Sequence, residues 1–281
     1  MQDFNPSENL KHLGKSEISA VSPPGIGKAA YTLHLADTTL LLAQRNAAWC
    51  AHGPILEQDI AITNISLDLI GQARNFYQYA ATLINNEAET PQGKLMDEDR
   101  LAFERTEREF KNLLLVELPN GDWAQTITRQ FLFSQYQFLL FEKLQASNDE
   151  QLAAIAAKSI KETKYHLRWS SEWILRLGDG TQESRERMLQ ALTELWPFTG
   201  EMFVNAAYEV AAAAAGSGVD SSLLQQEWLQ NVAQLLEEAT LAVPQNIFMQ
   251  SGGKQGIHTE HLGYILSDMQ YLQRTYPNSQ W

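Results

Sequence analysis

From the sequence alone the chain is an all-α protein, a helical bundle with further helices toward its C-terminus. Three observations predict this. Apolar residues recur at three-, four- and seven-residue steps from Ala29 onward, the spacing that lines one face of a helix. No stretch alternates apolar and polar residues as a half-buried strand requires. The long periodic runs are separated by short clusters rich in Pro, Gly, Asn and Asp, which suit turns between antiparallel neighbours.

Residues 1–28 are polar and contain "SPPGIG". Consecutive prolines and glycines disfavour a helix or a central strand, so this segment is expected to be a flexible arm, with residues 29–281 forming a single helical domain. The first helix opens at Ala29, carries Tyr31, Leu35 and Leu42 near one face with Leu33 and Leu40 widening it, and stops at "HGP" (52–54). The second runs from Ile55 to about Ile84 and aligns Ile62, Ile65, Leu69 and Phe76; "NNEAETPQGK" follows as a loop. A third helix is expected from about Asp97 to Val116, ended by "LPNGD". Asp122 is placed to cap a fourth, reaching about Leu144, along which Trp123, Phe131, Phe133, Phe138 and Phe141 are most simply core. A fifth spans about Glu150 to Leu177 and ends at "GDG". Helices at about 183–215, interrupted at Pro197, and at about 221–241 come next, and the last runs from about Thr259 to Tyr276. Four of these are long enough for a ferritin-like four-helix core, the others elaborating its C-terminal end.

The 281 residues carry a net charge of −13 at pH 7. That balance argues against a nucleic-acid partner, which needs cations to displace counterions, and against an anionic membrane surface. No stretch is apolar enough to span a bilayer. The single cysteine, Cys50, excludes an intrachain disulfide and fits a reducing compartment, and the N-terminus lacks the apolar core of a signal peptide. A soluble cytoplasmic protein is the expectation.

A helical bundle can hold two irons when two helices each supply a Glu and two others each supply Glu-x-x-His, since a three-residue step puts both side chains on one inward face. In "KETKYH" the residue three before His166 is Thr163, and the acid stands one place early, at Glu162. The four-residue step leaves Glu162 and His166 near enough to hydrogen-bond on the helix. In "DLIGQ" the comparable positions are Leu69, which cannot bind metal, and Gln72, a poor iron ligand; Asp68 is the remaining acid. Cys50 and His52 in "WCAH" are read as a helix end rather than a nucleophile and base. "SGGKQG" (251–256) resembles a phosphate cradle but lacks the longer P-loop pattern, and a flexible connection is favoured. In "IHTEHLG", His258 and His261 have a ligand-like step beside Glu260, but Thr259 as a helix cap is the simpler explanation.

The segments "LDLIGQARNFYQYAA", "FKNLLLVELPNGDWAQTI", "AKSIKETKYHLRWS", "ATLAVPQ" and "GGKQGIHTEHLGYILSDMQYLQR" resemble the structural, PaaC-type subunits of bacterial 1,2-phenylacetyl-CoA epoxidases. The resemblance covers about Ala29 to the C-terminus. It implies a ferritin-like subunit that carries no metal or other cofactor itself. Its partner would be a paralogous PaaA-type catalytic subunit with a di-iron site, supplied with electrons from NADPH by a reductase component bearing flavin and iron–sulfur groups. Contacts with other components of the complex and with coenzyme A are further expectations. By the same comparison, Leu69 and Gln72 stand where the catalytic pattern has Glu and His, Thr163 replaces a ligand Glu while His166 is kept, and Thr39 and Ser134 occupy the remaining acidic positions. These six positions would be the remnant of a metal site, with no catalytic residue among them. Two other classes stand against this reading: an independently active di-iron oxygenase or metal-storage bundle, which needs acids at 69 and 163, and a helical scaffold unrelated to oxygenation.

Overall fold

A computed structural model describes residues 24–87, 95–277 and 279. Its first helix, α1 (Pro24–Ala47), is buried on nearly every side over 27–47, and the polar side chains it takes inside, His34, Asp37 and Asn46 among them, are hydrogen-bonded, as buried polar groups must be. A short turn returns the chain along it as α2 (Leu56–Glu87), which buries Ile62, Ile65, Leu69, Gln72, Phe76 and Tyr77 at three- and four-residue steps. A second antiparallel pair, α5 (Trp123–Leu144) and α6 (Glu150–Gly178), completes a ferritin-like four-helix core. Asp122 caps α5 by accepting from the N–H of Gln125 (3.0 Å), and Asp149 caps α6 by accepting from Leu152 (3.0 Å), each cap contributing about 1 kcal/mol. Asp149 also ties the core together, holding Lys28 of α1 at 2.7 Å and the Tyr79 hydroxyl of α2.

The crossover between the pairs contains α3 (Glu98–Phe103) and the single turn α4 (Leu114–Glu117). Beyond α5 and α6, α7 (Gln182–Leu195) packs on α5, α8 (Ala207–Ala214) on α1, and α9 (Gln225–Glu238) on α5 and α6. The chain finishes with α10 (Glu260–Met269) and α11 (Tyr271–Thr275). Among the described residues there is no strand, and no helix is long and apolar enough to cross a membrane.

Several boundaries differ from expectation for identifiable reasons. Helix α1 begins at Pro24 rather than Ala29: proline suits a first helical turn, where its missing N–H would have no acceptor. Gly27 is buried, and a Cβ there would lie 3.2 Å from that of Ala211. The rest of the expected arm, residues 1–23, lies outside the described residues, as do residues 88–94 of the expected loop. The helix expected over 97–116 is broken, with a turn of 3₁₀ helix at Glu107–Glu109 and extended backbone at Phe110 and Leu113. Side chains of α1 take the backbone groups a helix would have used. The N–H of Lys111 donates to Asp37 (2.8 Å), and its carbonyl accepts from His34 Nδ1 (2.6 Å). The interruption at Pro197 widens into two short 3₁₀ turns, Trp196–Phe198 and Gly200–Phe203. The last helix divides at Gln270, whose buried amide donates to the Arg105 carbonyl (2.8 Å).

Candidate functional site

The six expected remnant positions are all buried. Thr39 lies on α1, Leu69 and Gln72 on α2, Ser134 on α5, and Thr163 and His166 on α6, in the middle of the bundle. Leu69 and Gln72, like Thr163 and His166, share one inward face through their three-residue step. Most of the polar groups there are hydrogen-bonded within the protein. Gln72 donates to Glu162 (2.9 Å) and accepts from Gln137 (3.2 Å). The Thr163 hydroxyl is shared between the Gln137 side-chain oxygen (3.3 Å) and the Ser159 carbonyl (3.1 Å). Ser134 accepts from Gln130 (2.8 Å), which accepts from Asn46 (2.7 Å). Thr39 turns back onto the Leu35 carbonyl (2.8 Å).

Glu162 and His166 do not pair with each other. The carboxylate meets Gln72, while His166 Nε2 faces Asp68 across the α2–α6 interface at 3.0 Å. The side chain of His166 is wholly buried and Asp68 is 36% exposed, so the pair joins the interior to the surface, and His166 Nδ1 has no partner. Gln137 was not anticipated. Set among Phe138, Leu139 and Leu140, it reads as an outward position in an apolar helix, yet it links α2, α5 and α6.

A di-iron centre does not fit these residues. Four carboxylates and two imidazoles are required, but Leu69 offers no donor atom, and Thr39, Ser134, Gln72 and Thr163 are neutral, four weak donors already engaged with protein. Among the described residues no group of three or more His, Cys, Asp or Glu side chains is placed to hold a metal ion. The void beside Thr39 and Gln137 measures about 10 Å³, room for about one water.

The buried ionisable side chains concentrate instead beneath a strap, residues 251–259, whose first part (251–256) was expected to be a flexible connection. It is a buried anchor. Glu201 accepts from the N–H groups of Gly252 and Gly253 (both 2.7 Å) and of Leu114 (2.8 Å); burial pushes its carboxyl upward despite these donors. Gly252 and Gly256 have positive φ (140° and 77°), which glycine tolerates. Lys254, 1% exposed, bonds to the Glu209 carboxylate (3.0 Å) and to the carbonyls of Met202 (3.3 Å) and Val204 (3.1 Å). His258 presents Nδ1 to Glu117 (2.9 Å) and Nε2 to the Phe110 carbonyl (3.0 Å). Both partners are acceptors, so both nitrogens carry protons. Burial pulls this imidazole down, but the Glu117 carboxylate outweighs it and the pKa is raised. His34, by contrast, is held below its usual range, chiefly by burial. Arg105 stacks on Phe110 (4.3 Å) and pairs with the buried Asp37, which outweighs the desolvation of the guanidinium and raises its pKa.

Thr259 caps α10 by accepting from His261 (3.3 Å), as the simpler reading of "IHTEHLG" held, and His258 is committed to Glu117. His52 bonds to the Cys50 carbonyl, not its thiol, at an exposed helix end. The anchoring acids were missed, although each left a trace: Asp37 in "HLADTTLL", Glu117 in "LLLVELP" and Glu209 in "AAYEVAAAA" are lone charges inside apolar runs, and a buried charge requires a partner.

Residues 27–281 match the family model described as phenylacetic acid catabolic protein. The chain is also similar to a protein of Escherichia coli (strain K12) that is named as one of the subunits of 1,2-phenylacetyl-CoA epoxidase. The two are 50% identical over 252 residues, covering 90% of this chain and 98% of that one.

Proposed function

The chain belongs to the phenylacetic acid catabolic protein family, and from that premise we propose that it is the structural, non-catalytic subunit of an oxygenase that epoxidises the aromatic ring of phenylacetyl-CoA. The family places it in phenylacetate catabolism. In this reading a PaaA-type paralogue holds the di-iron centre and activates O₂, a flavin and iron–sulfur reductase delivers electrons from NADPH, and the present chain stabilises the catalytic subunit in the cytoplasm.

The observation that carries the reading is the chemistry at the bundle centre. A working di-iron bundle needs Glu, His and Glu ligands where this chain has Leu69, Gln72 and Thr163, and these residues are packed or hydrogen-bonded to other protein groups. An independently active di-iron oxygenase is the competing reading. Elemental analysis after aerobic reconstitution with ferrous iron separates the two. The purified chain is expected to retain no stoichiometric iron, and two irons per chain, lost on His166→Ala, would overturn the assignment. Partnership is tested separately by light scattering during size-exclusion chromatography of this chain with the di-iron paralogue. A stable heteromer is expected. Separate elution at micromolar concentration, with full epoxidation by the paralogue alone, would sink the structural role.

A further inference from the structure

The outward side of α2 is a surface that nothing within the chain explains. Leu56, Ile60, Leu67 and Ile70 on it are 71%, 51%, 60% and 37% exposed. With Asn64 and Gly71 they follow three- and four-residue steps, so one straight element can meet them all. Between Ile60 and Gly71 the sole ionisable residue is Asp68, which is turned toward His166, so this side carries no free charge over about three turns.

Gly71 is an independent observation. Glycine is unfavourable in the middle of a helix relative to alanine, and the buried glycines of this chain have visible reasons: a Cβ at Gly178 would meet the Ala239 carbonyl at 2.4 Å, and one at Gly253 the Asn112 carbonyl at 2.2 Å. At Gly71 a Cβ would meet nothing within 4 Å. Nothing inside the molecule requires the missing side chain; a backbone approaching closely from outside would.

We propose that this face of α2 docks a helix of a second, paralogous bundle subunit, with the two helices closest at Gly71. The inference rests on the structural-subunit reading above and names the surface it would use. The four apolar side chains expose on the order of 400 Å², about half of the roughly 800 Å² that each partner contributes to a stable interface, so they form the centre of a contact that neighbouring residues complete. A helix fits because the stripe is straight, apolar and narrow. A paralogue fits better than a second copy because the E. coli relative is named as one subunit among those of an epoxidase.

The test co-expresses the chain with the di-iron paralogue and measures the heteromer by light scattering and titration. Leu67→Asp places a charge in the stripe, and Gly71→Leu fills the open space. Leu223→Asp, at a leucine 77% exposed elsewhere, is the control. Leu67→Asp and Gly71→Leu should each weaken the heteromer at least tenfold while the isolated variants melt no more than a few degrees below the parent; Leu223→Asp should assemble normally. A parent heteromer that both stripe variants leave intact overturns the docking face and spares the structural-subunit reading. A parent chain that forms no heteromer overturns both. A homodimer lost on Leu67→Asp, with heteromer assembly unaffected, assigns the stripe to a second copy and also overturns the proposal.

Discussion

The bundle centre and the region beneath the strap both bury many polar side chains, but they do so in opposite ways. At the centre, Gln72, Gln137, Thr163 and Ser134 exchange hydrogen bonds mostly between neutral groups, and the acids that reach it, Glu162 and Asp68, are part-exposed at its edge. Beneath the strap, Glu117, Glu201, Glu209, Lys254 and His258 are ionisable and almost wholly buried. A lost neutral hydrogen bond costs the desolvation of one dipole. An orphaned buried charge costs several times more. The difference teaches that the part of the molecule resembling a reaction centre is its permissive part, and the glycine-rich strap that reads as a linker is its constrained part.

Four changes break or sharpen this contrast. Lys254→Met removes the cation bound to Glu209 and should destabilise the chain by about 3–5 kcal/mol, read from the midpoint of denaturant unfolding; a loss under 1 kcal/mol would erase the contrast. His258→Gln should cost about 2–3 kcal/mol at pH 6, where a hydrogen-bonded charge is lost, and the penalty should shrink as pH rises. The sign follows from the raised pKa of His258. Its contribution is complete below the unfolded histidine pKa and disappears as pH climbs through the higher folded value. The lowered pKa of His34 acts oppositely, removing stability as pH falls below the unfolded histidine value, so stability-versus-pH curves of the parent and His258→Gln should converge only on the alkaline side. A penalty that grows with pH would contradict the imidazolium assignment.

At the bundle centre the effects should be smaller. His166→Gln gives up the contact with Asp68 and is expected to cost about 1–2 kcal/mol while epoxidation by the assembled complex persists. Turnover falling to background in a correctly assembled complex would show that His166 does more than fill the interior. Thr163→Val removes one donor from Gln137 at nearly constant volume and should cost about 1 kcal/mol, measurable by thermal melting.

The core helices were legible because their apolar faces keep the helical period. The region 97–116 was not, since its local preference is helical and the partners that override it, Asp37 and His34, are far away in sequence. The burial of the centre was legible only by resemblance: Thr39, Ser134 and Gln72 are ordinary neutral residues whose types carry no signal of their place inside the bundle. The four-residue step between Glu162 and His166 was real, but spacing states which side chains are near, and packing decides which partners they choose.

The strap also sets a timetable for the newborn chain. Glu117 waits for His258, 141 residues later, and Glu201 for Gly252, 51 residues later. At about 5–20 residues per second, the first of these carboxylates stands without its partner for roughly seven to thirty seconds of synthesis. The four long helices can gather earlier, but the crossover beneath them cannot close until the strap has left the ribosome. A nascent chain stalled before the strap would therefore hold a collapsed bundle with open, hydrated carboxylates, and the strap acts as its keystone.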